Sequence, residues 1–505
     1  MSDPPAAPAA VTRGEVARGA GLAGLSRASS LIEAVAQPLY IWLFGLPTYG
    51  IYVVLWGSVN LASNVVDLSM TSALQRIVPA ENEEERAHGA VKAALLMAVL
   101  PSILIAAIVS LNADAVASLF SAAPEDRASL PTAVAVFVWA LPLWTFIEVA
   151  TSAARARRAF GPEIRLRIFW EQIVRIVFAG GFFLAGAGGL GLVFAHLCSL
   201  ALTAALCLPL LARFYDLRLL ARAPIRGLSG PLLVAGLALL PANVSRRLLV
   251  DAPAVLLNLM IPGTRGAVAA GLFEIARKIA TVPLAVRQAF QYVMAPLSAA
   301  QAREDRAAIA PLYRFACRVS TALVVPLAGL LIFAGADILS VYRPEAAAAL
   351  PLLTVLVAAR AAEAVVGPAT PIVEMTGHRL LPLLNSIVGV LGLALLAWLL
   401  VPRLEALGMA IATGAATLAA TYAASLELRI AERLSAFDRK LFLGLAVSLA
   451  GVALMALAEH VTRGPVRFAS VFALWALASW CALRFGLVRS DRQALGGLAR
   501  TLRLV

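Results

Sequence analysis

Apolar runs of about twenty residues recur from end to end of this chain, each long enough to cross a hydrocarbon layer roughly 30 Å thick. In lipid no water is present to satisfy backbone N–H and C=O groups, so runs of this kind close their hydrogen bonds within themselves as helices. Barrel strands would alternate apolar and polar residues over about ten positions, and the run Val91–Leu111 shows no such alternation. Composition agrees: 61% of the 505 residues are hydrophobic and only 14% charged, against about a quarter charged in globular domains. The expected fold is an all-α membrane protein.

About fourteen crossings are expected with a window of about 19 residues. In order they are 19–44, 48–76, 89–111, 130–152, 166–187, 189–212, 229–259, 265–295, 309–335, 345–375, 379–401, 405–427, 439–458 and 466–488. The connectors alternate in character. One set carries Arg155, Arg157, Arg158, Arg165 and Arg167; then Arg213, Arg218, Arg222 and Arg226; then Arg303, Arg306 and Arg314; then Arg429, Arg433, Arg439 and Lys440. The other set (45–47, 112–129, 260–264, 336–344, 402–404, 459–465) is nearly free of Lys and Arg. The positive-inside bias therefore puts both termini and the arginine-rich loops in the cytoplasm. It also explains the net charge of +13 without a nucleic-acid partner, because the basic residues follow the loops. The Ala/Pro-rich start, residues 1–18, reads as a disordered cytosolic tail. No connector is long enough for a soluble domain, and 112–129 has room for a short interfacial helix. The acidic run Glu81–Arg86 reads as a solvated loop.

Function is sought in what the membrane makes expensive. A charge at mid-bilayer is disfavoured by a few kcal/mol on insertion scales, so intramembrane polar groups are functional candidates. Ser26, Ser30, Glu33 and Gln37 share one face of the first crossing, with Arg27 beside it; Asn60, Asn64, Asp67 and Thr71 repeat the pattern in the second. In the seventh, Asn243, Arg247 and Asp251 share a face and Arg246 adjoins it, near the middle of the segment. Pro241 and Pro253 bracket them, which predicts a kink. In the eighth, Glu274, Arg277, Lys278 and Thr281 form another polar face. Glu171 with Arg175 and Arg360 with Glu363 stand at ion-pair spacing and read as structural pairs; Glu148 is a further intramembrane acid. Asp251 alone does not neutralise two adjacent arginines, and guanidinium groups suit bidentate phosphate binding. With Arg27, Arg277 and Lys278 added, a positively biased cavity is expected.

Other chemistries find little support. Cys198, Cys207, Cys317 and Cys481 lie in apolar runs without metal spacing, and His88, His196, His378 and His460 are scattered. Neither a phosphate loop nor a metal motif occurs, so no metal or other cofactor and no enzyme activity is expected.

The halves look related: Gly50 opens a crossing that ends at Pro79, and Gly266 opens one that ends at Pro296. Pro38-Leu39-Tyr40-Ile41 before Gly45, Tyr49-Gly50-Ile51-Tyr52, Val66-Asp67-Leu68 and Ala73-Leu74-Gln75-Arg76-Ile77-Val78-Pro79 carry a resemblance, as do Ala276-Arg277, Pro283 and Ala295-Pro296. The chain resembles bacterial polysaccharide flippases of the multidrug/oligosaccharidyl-lipid/polysaccharide exporter superfamily, whose members often have Gly where Ser69 stands. The resemblance implies two pseudo-symmetric six-helix lobes in a V, here 19–222 and 223–435, plus two C-terminal helices and a cytosolic tail in 436–505. It implies a bacterial inner membrane, and flipping of an undecaprenyl-pyrophosphate-linked oligosaccharide from the cytoplasmic to the periplasmic leaflet by alternating access. Glycan polymerase or assembly proteins would be partners. On this reading Arg27, Arg246 and Arg247 hold the pyrophosphate and Arg277 and Lys278 assist. Asn60, Asn64 and Asn243 meet the sugars, while Glu33, Asp67 and Asp251 are candidates for coupling H⁺ or Na⁺. The alternative is a cation-coupled multidrug or metabolite antiporter of the same superfamily.

Overall fold

The computed structural model describes residues 36–157, 159, 164–284, 309–375, 381–495 and 497–504. The expected tail, Arg27 and Glu33 lie outside them. Every regular element among the described residues is helical. The first crossing is represented by α1 (36–44). The second is split into α2 (Leu46–Val66) and α3 (Met70–Ile77). Then come α4 (Glu84–Leu111) and α5 (Leu130–Ala156). In α6 a π-helical stretch, Ile164–Trp170, runs into Glu171–Leu184. They are followed by α7 (Leu190–Phe214), α8 (Ser229–Met260), α9 (Thr264–Ile279), α10 (Ile309–Phe333) and α11 (Leu350–Val366). The run Leu381–Ala431 is two helices joined at Glu405 (φ 50°, ψ −126°), α12 before it and α13 after it. The last pair is α14 (Arg439–Val461) and α15 (Gly464–Gly486).

These helices follow the fourteen expected crossings, and ten of the continuous helical runs are long and apolar enough to span a membrane. The perimeter is what lipid requires, with Leu104, Leu184, Trp398 and Val461 all exposed. One expectation is corrected. The second crossing is not one helix: Leu68 (φ 49°) and Ser69 (φ 58°) take the left-handed conformation and break it. α8 is one continuous helix with Pro241 and Pro253 inside it. The connector 112–129 holds two short helices, Ala113–Ala117 and Pro124–Arg127.

Helices before residue 222 pack largely among themselves, as do those after 229. The two sets meet chiefly where α2 lies against α8 and α9. α14 and α15 pack on α10 through separate apolar clusters, including Leu330, Met455 and Val471. The α2–α9 crossing is a backbone contact. A Cβ on Gly50 would lie 1.9 Å from the Ala267 carbonyl oxygen, so no larger residue fits while the helices touch. The two helices that the repeat makes equivalent therefore meet backbone to backbone, on the side opposite the arginine-rich loops.

Candidate functional site

α2, α3, α5 and α8 surround a cavity of about 370 Å³. Its lining is Asn64, Asp67, Ser69, Thr71, Ser72, Glu148, Asn243, Arg246, Arg247 and Val250. At 1.5 Å per residue, Arg246 and Arg247 lie close to the midpoint of the 32-residue α8, so both guanidinium groups reach the cavity near mid-depth. Asn243, one turn earlier, links them to α3. Its amide donates to Ser69 Oγ at 3.0 Å, and its carbonyl oxygen accepts from Arg246 Nη2 at 2.7 Å. The break in α2 presents Asp67 and Ser69 side by side, and the Thr71 hydroxyl donates to Asp67 Oδ2 at 3.1 Å.

The arginines differ in how firmly they are held. Arg247 lies 3.8 Å from Asp251 and 3.9 Å from Glu148, both contacts longer than a hydrogen bond, and its side chain is 39% exposed to the cavity. Glu148 is held elsewhere: Arg167 donates to it at 2.6 Å while stacking its guanidinium over the Trp144 ring at 4.3 Å. The Ser63 hydroxyl is its further neighbour, 3.5 Å from Oε2. In α9 the expected helpers are paired differently. Arg277 makes a two-pronged pair with buried Glu274, at 2.6 and 2.7 Å, and Lys278 stands 3.9 Å from the same carboxylate. Neither residue lines the cavity. Asp251, only 10% exposed, lies within the fields of Arg247, Arg277, Glu274 and Lys278, and it joins the two groups electrostatically.

Of the expected site residues, Asn64, Asp67, Asn243, Arg246 and Arg247 come together in one lining. Asn60 sits one turn behind as a buried residue whose carbonyl accepts from the Asn64 amide at 2.8 Å. Asp251 is just beneath Arg247. The expected positive bias is not what the described lining carries, because Arg246 and Arg247 face Asp67 and Glu148 there. Sequence reasoning missed Glu148, Arg167, Trp144 and Ser69 as site residues. The signal for Glu148 was its position as a lone acid in an apolar crossing, which calls for a basic partner.

The arrangement has a chemical consequence. A phosphate-bearing ligand entering the cavity would exchange two long ion pairs at Arg247 for short charge-assisted hydrogen bonds, while the Arg167–Glu148 and Arg277–Glu274 pairs stay intact. Neutral hydrogen-bonding groups at Asn64, Asn243, Ser69, Thr71 and Ser72 stand beside that position, as a hydroxyl-rich ligand would need.

Over residues 45–342 the chain matches the sequence profile of a family described as polysaccharide biosynthesis protein. No curated protein sequence matches it. Among solved structures it is similar to the lipid II flippase MurJ in an inward closed conformation, with a TM-score of 0.74 at 12% identity, covering 92% of this chain and 97% of that one. It is also similar to a multidrug resistance MATE family transporter of the MOP superfamily in an inward-facing conformation, with a TM-score of 0.61 at 15% identity, covering 82% and 94%. A MOP superfamily transporter from Pyrococcus furiosus, its binding pocket described as of reverse polarity, matches with a TM-score of 0.60 at 15% identity, covering 82% and 95%. The solved structures that share this fold are described as a flippase and as transporters.

Proposed function

The chain belongs to the polysaccharide biosynthesis protein family, and from that premise we propose that it flips an undecaprenyl-pyrophosphate-linked oligosaccharide from the cytoplasmic to the periplasmic leaflet of a bacterial inner membrane. The carrying observation is Arg247: a guanidinium near mid-depth, facing a cavity, with its two acid neighbours at 3.8 and 3.9 Å. Arg246 and Arg247 hold the pyrophosphate, and Asn64 and Asn243 meet the first sugars. The polyprenyl chain stays in lipid. The halves 19–222 and 223–435 rock about the cavity in alternating access, both termini are cytoplasmic, and 436–505 forms the additional helix pair and tail. Arg27 is proposed to join Arg246 and Arg247 at the pyrophosphate, and Glu33, Asp67 and Asp251 are the candidates for a coupling H⁺ or Na⁺. Glycan polymerase or assembly proteins are the protein partners of such a step.

One observation favours the second reading, a cation-coupled antiporter: Asp67 and Glu148 balance the two arginines in the lining. Mass spectrometry of membrane lipids from cells depleted of the protein separates the two. The flippase reading predicts that a polyprenyl-pyrophosphate oligosaccharide accumulates and the matching surface glycan is lost. An unchanged lipid-linked pool, with new sensitivity to cationic drugs, would transfer the assignment to the antiporter.

A further inference from the structure

The two helix sets touch on either side of the cavity, and the two contacts are built differently. On the side away from the arginine-rich loops, Gly50 of α2 meets the Ala267 and Gly271 backbone of α9. Beside it the Asn258 side chain clamps one residue of the other set, accepting from Ser121 N–H at 2.9 Å and donating to Ser121 C=O at 2.7 Å. No non-glycine residue of that contact has a positive φ.

On the arginine-rich side the seal is the break between α2 and α3. Its backbone is well satisfied locally: Leu68 N–H donates to Val65 C=O at 3.2 Å, Met70 N–H to Asp67 C=O at 2.8 Å, and Ala73 N–H to Ser69 C=O at 3.0 Å. Yet Leu68 and Ser69 are two consecutive side-chain-bearing residues in the left-handed region. Such a pair persists only where its surroundings over-determine it. The surroundings here are α8. The Leu68 carbonyl sits against Gly236, where a Cβ would lie 2.3 Å from the oxygen. The fully buried Met70 covers the same glycine, and Asn243 donates to Ser69 Oγ at 3.0 Å. Part of what holds the strained pair in place thus crosses from one helix set to the other, and separating the sets removes that part.

We propose that Leu68–Ser69 is a strained hinge forming the gate on the arginine-rich side of the cavity, seated on Gly236 and Asn243 of α8, which springs toward regular helix when the two sets part there. The relaxed seal at Gly50 and Asn258 makes this side the readier of the two to open. The proposal rests on the alternating-access reading but on no identity of cargo.

The test is conformational and needs no cargo. In a chain freed of its four cysteines, Val250→Cys, on the lining beyond the break, is labelled with a membrane-impermeant maleimide in inverted vesicles, where the arginine-rich loops face the reagent. L68A and L68G both lose the isobutyl group and differ only in backbone preference. Alanine resists the left-handed form and favours helix, so L68A should label roughly tenfold faster than L68G. The pair S69A and S69G, both lacking the hydroxyl that Asn243 donates to, repeats the comparison one residue on, with the glycine variant again slower. G236A, whose Cβ excludes the Leu68 carbonyl, should label severalfold faster than the parent. Equal rates within both pairs, or a glycine variant that labels faster than its alanine partner, would overturn the hinge. Because labelling is read without substrate, a hinge that passes while lipid-linked glycan fails to accumulate on depletion would indict the cargo assignment alone.

Discussion

Arg175→Met is expected to be among the most destabilising single changes in the first six crossings. The side chain is 7% exposed; Nη2 donates to Glu171 at 2.8 Å and Nη1 to the Tyr52 hydroxyl at 2.9 Å. Tyr52, having accepted from Arg175, has its own proton to give to His196 Nδ1 at 2.9 Å. That assigns the imidazole proton to Nε2, which points toward Glu171 Oε1 at 3.7 Å. Ser199 donates to the same carboxylate at 3.1 Å. One guanidinium therefore neutralises the carboxylate and sets the direction of a hydrogen-bond chain across α2, α6 and α7. Its removal leaves Glu171, 2% exposed, without its guanidinium partner. Breaking a buried pair from one side costs about 3–5 kcal/mol, whereas replacing both partners by apolar groups is often close to neutral. At roughly 2–4 °C per kcal/mol for a unit of about 200 residues, the loss in Tm is on the order of 10 °C. Thermal unfolding in detergent, followed by tryptophan emission, reads it directly because Trp56 packs on His196 with ring centroids 4.3 Å apart. The double variant Glu171→Leu with Arg175→Met should regain most of the loss. A single variant melting within about 2 °C of the parent, or a double variant melting lower still, would refute the argument.

Gly50→Ala places a methyl group 1.9 Å from the Ala267 carbonyl oxygen, and overpacking of this kind costs about 1–3 kcal/mol. It should raise maleimide labelling of Thr48→Cys from the side opposite the arginine-rich loops, and unchanged labelling would show that α2 and α9 do not form that seal. Outside the spans, burial lifts the Asp126 carboxyl above the usual carboxylate range, opposed by the hydroxyl of Thr48, which donates to it at 2.9 Å. The folded state then holds that proton more tightly than the unfolded one, so this group's contribution to stability falls as pH rises from the unfolded value through the raised folded one. Asp126→Asn should flatten that loss as pH rises above the ordinary carboxylate range in thermal melts and leave Tm at low pH nearly unchanged.

Most of the architecture was legible because lipid leaves few choices: length and polarity placed the crossings, and arginines marked alternate loops. The turn at Glu405 falls within a residue of the expected short connector 402–404. What was not legible depended on tertiary contact. Neither glycine nor proline marks the break after Asp67. Leu68 and Ser69 are left-handed where the Leu68 carbonyl sits against Gly236, more than 160 residues away in sequence. The Arg167–Glu148 pair was hidden because Arg167 stood among the loop arginines, whereas the π-helical start of α6 carries it inward. Arg277 was expected to assist at the pyrophosphate, and its two-pronged bond to Glu274 depended on a side-chain geometry that spacing does not give. The helix that carries Pro241 and Pro253 continues through both, packed against α2, α9 and the α12–α13 run.

The central claim is that Arg246 and Arg247 bind a lipid-linked pyrophosphate. It is tested most directly by native mass spectrometry of the purified protein titrated with undecaprenyl pyrophosphate, undecaprenyl phosphate and undecaprenol. The account predicts affinity in that order, a loss of roughly tenfold or more for the pyrophosphate carrier in Arg247→Ala, partial recovery in Arg247→Lys, and little change for undecaprenol. Undiminished pyrophosphate binding in the double variant Arg246→Ala with Arg247→Ala, at normal folding, would contradict it.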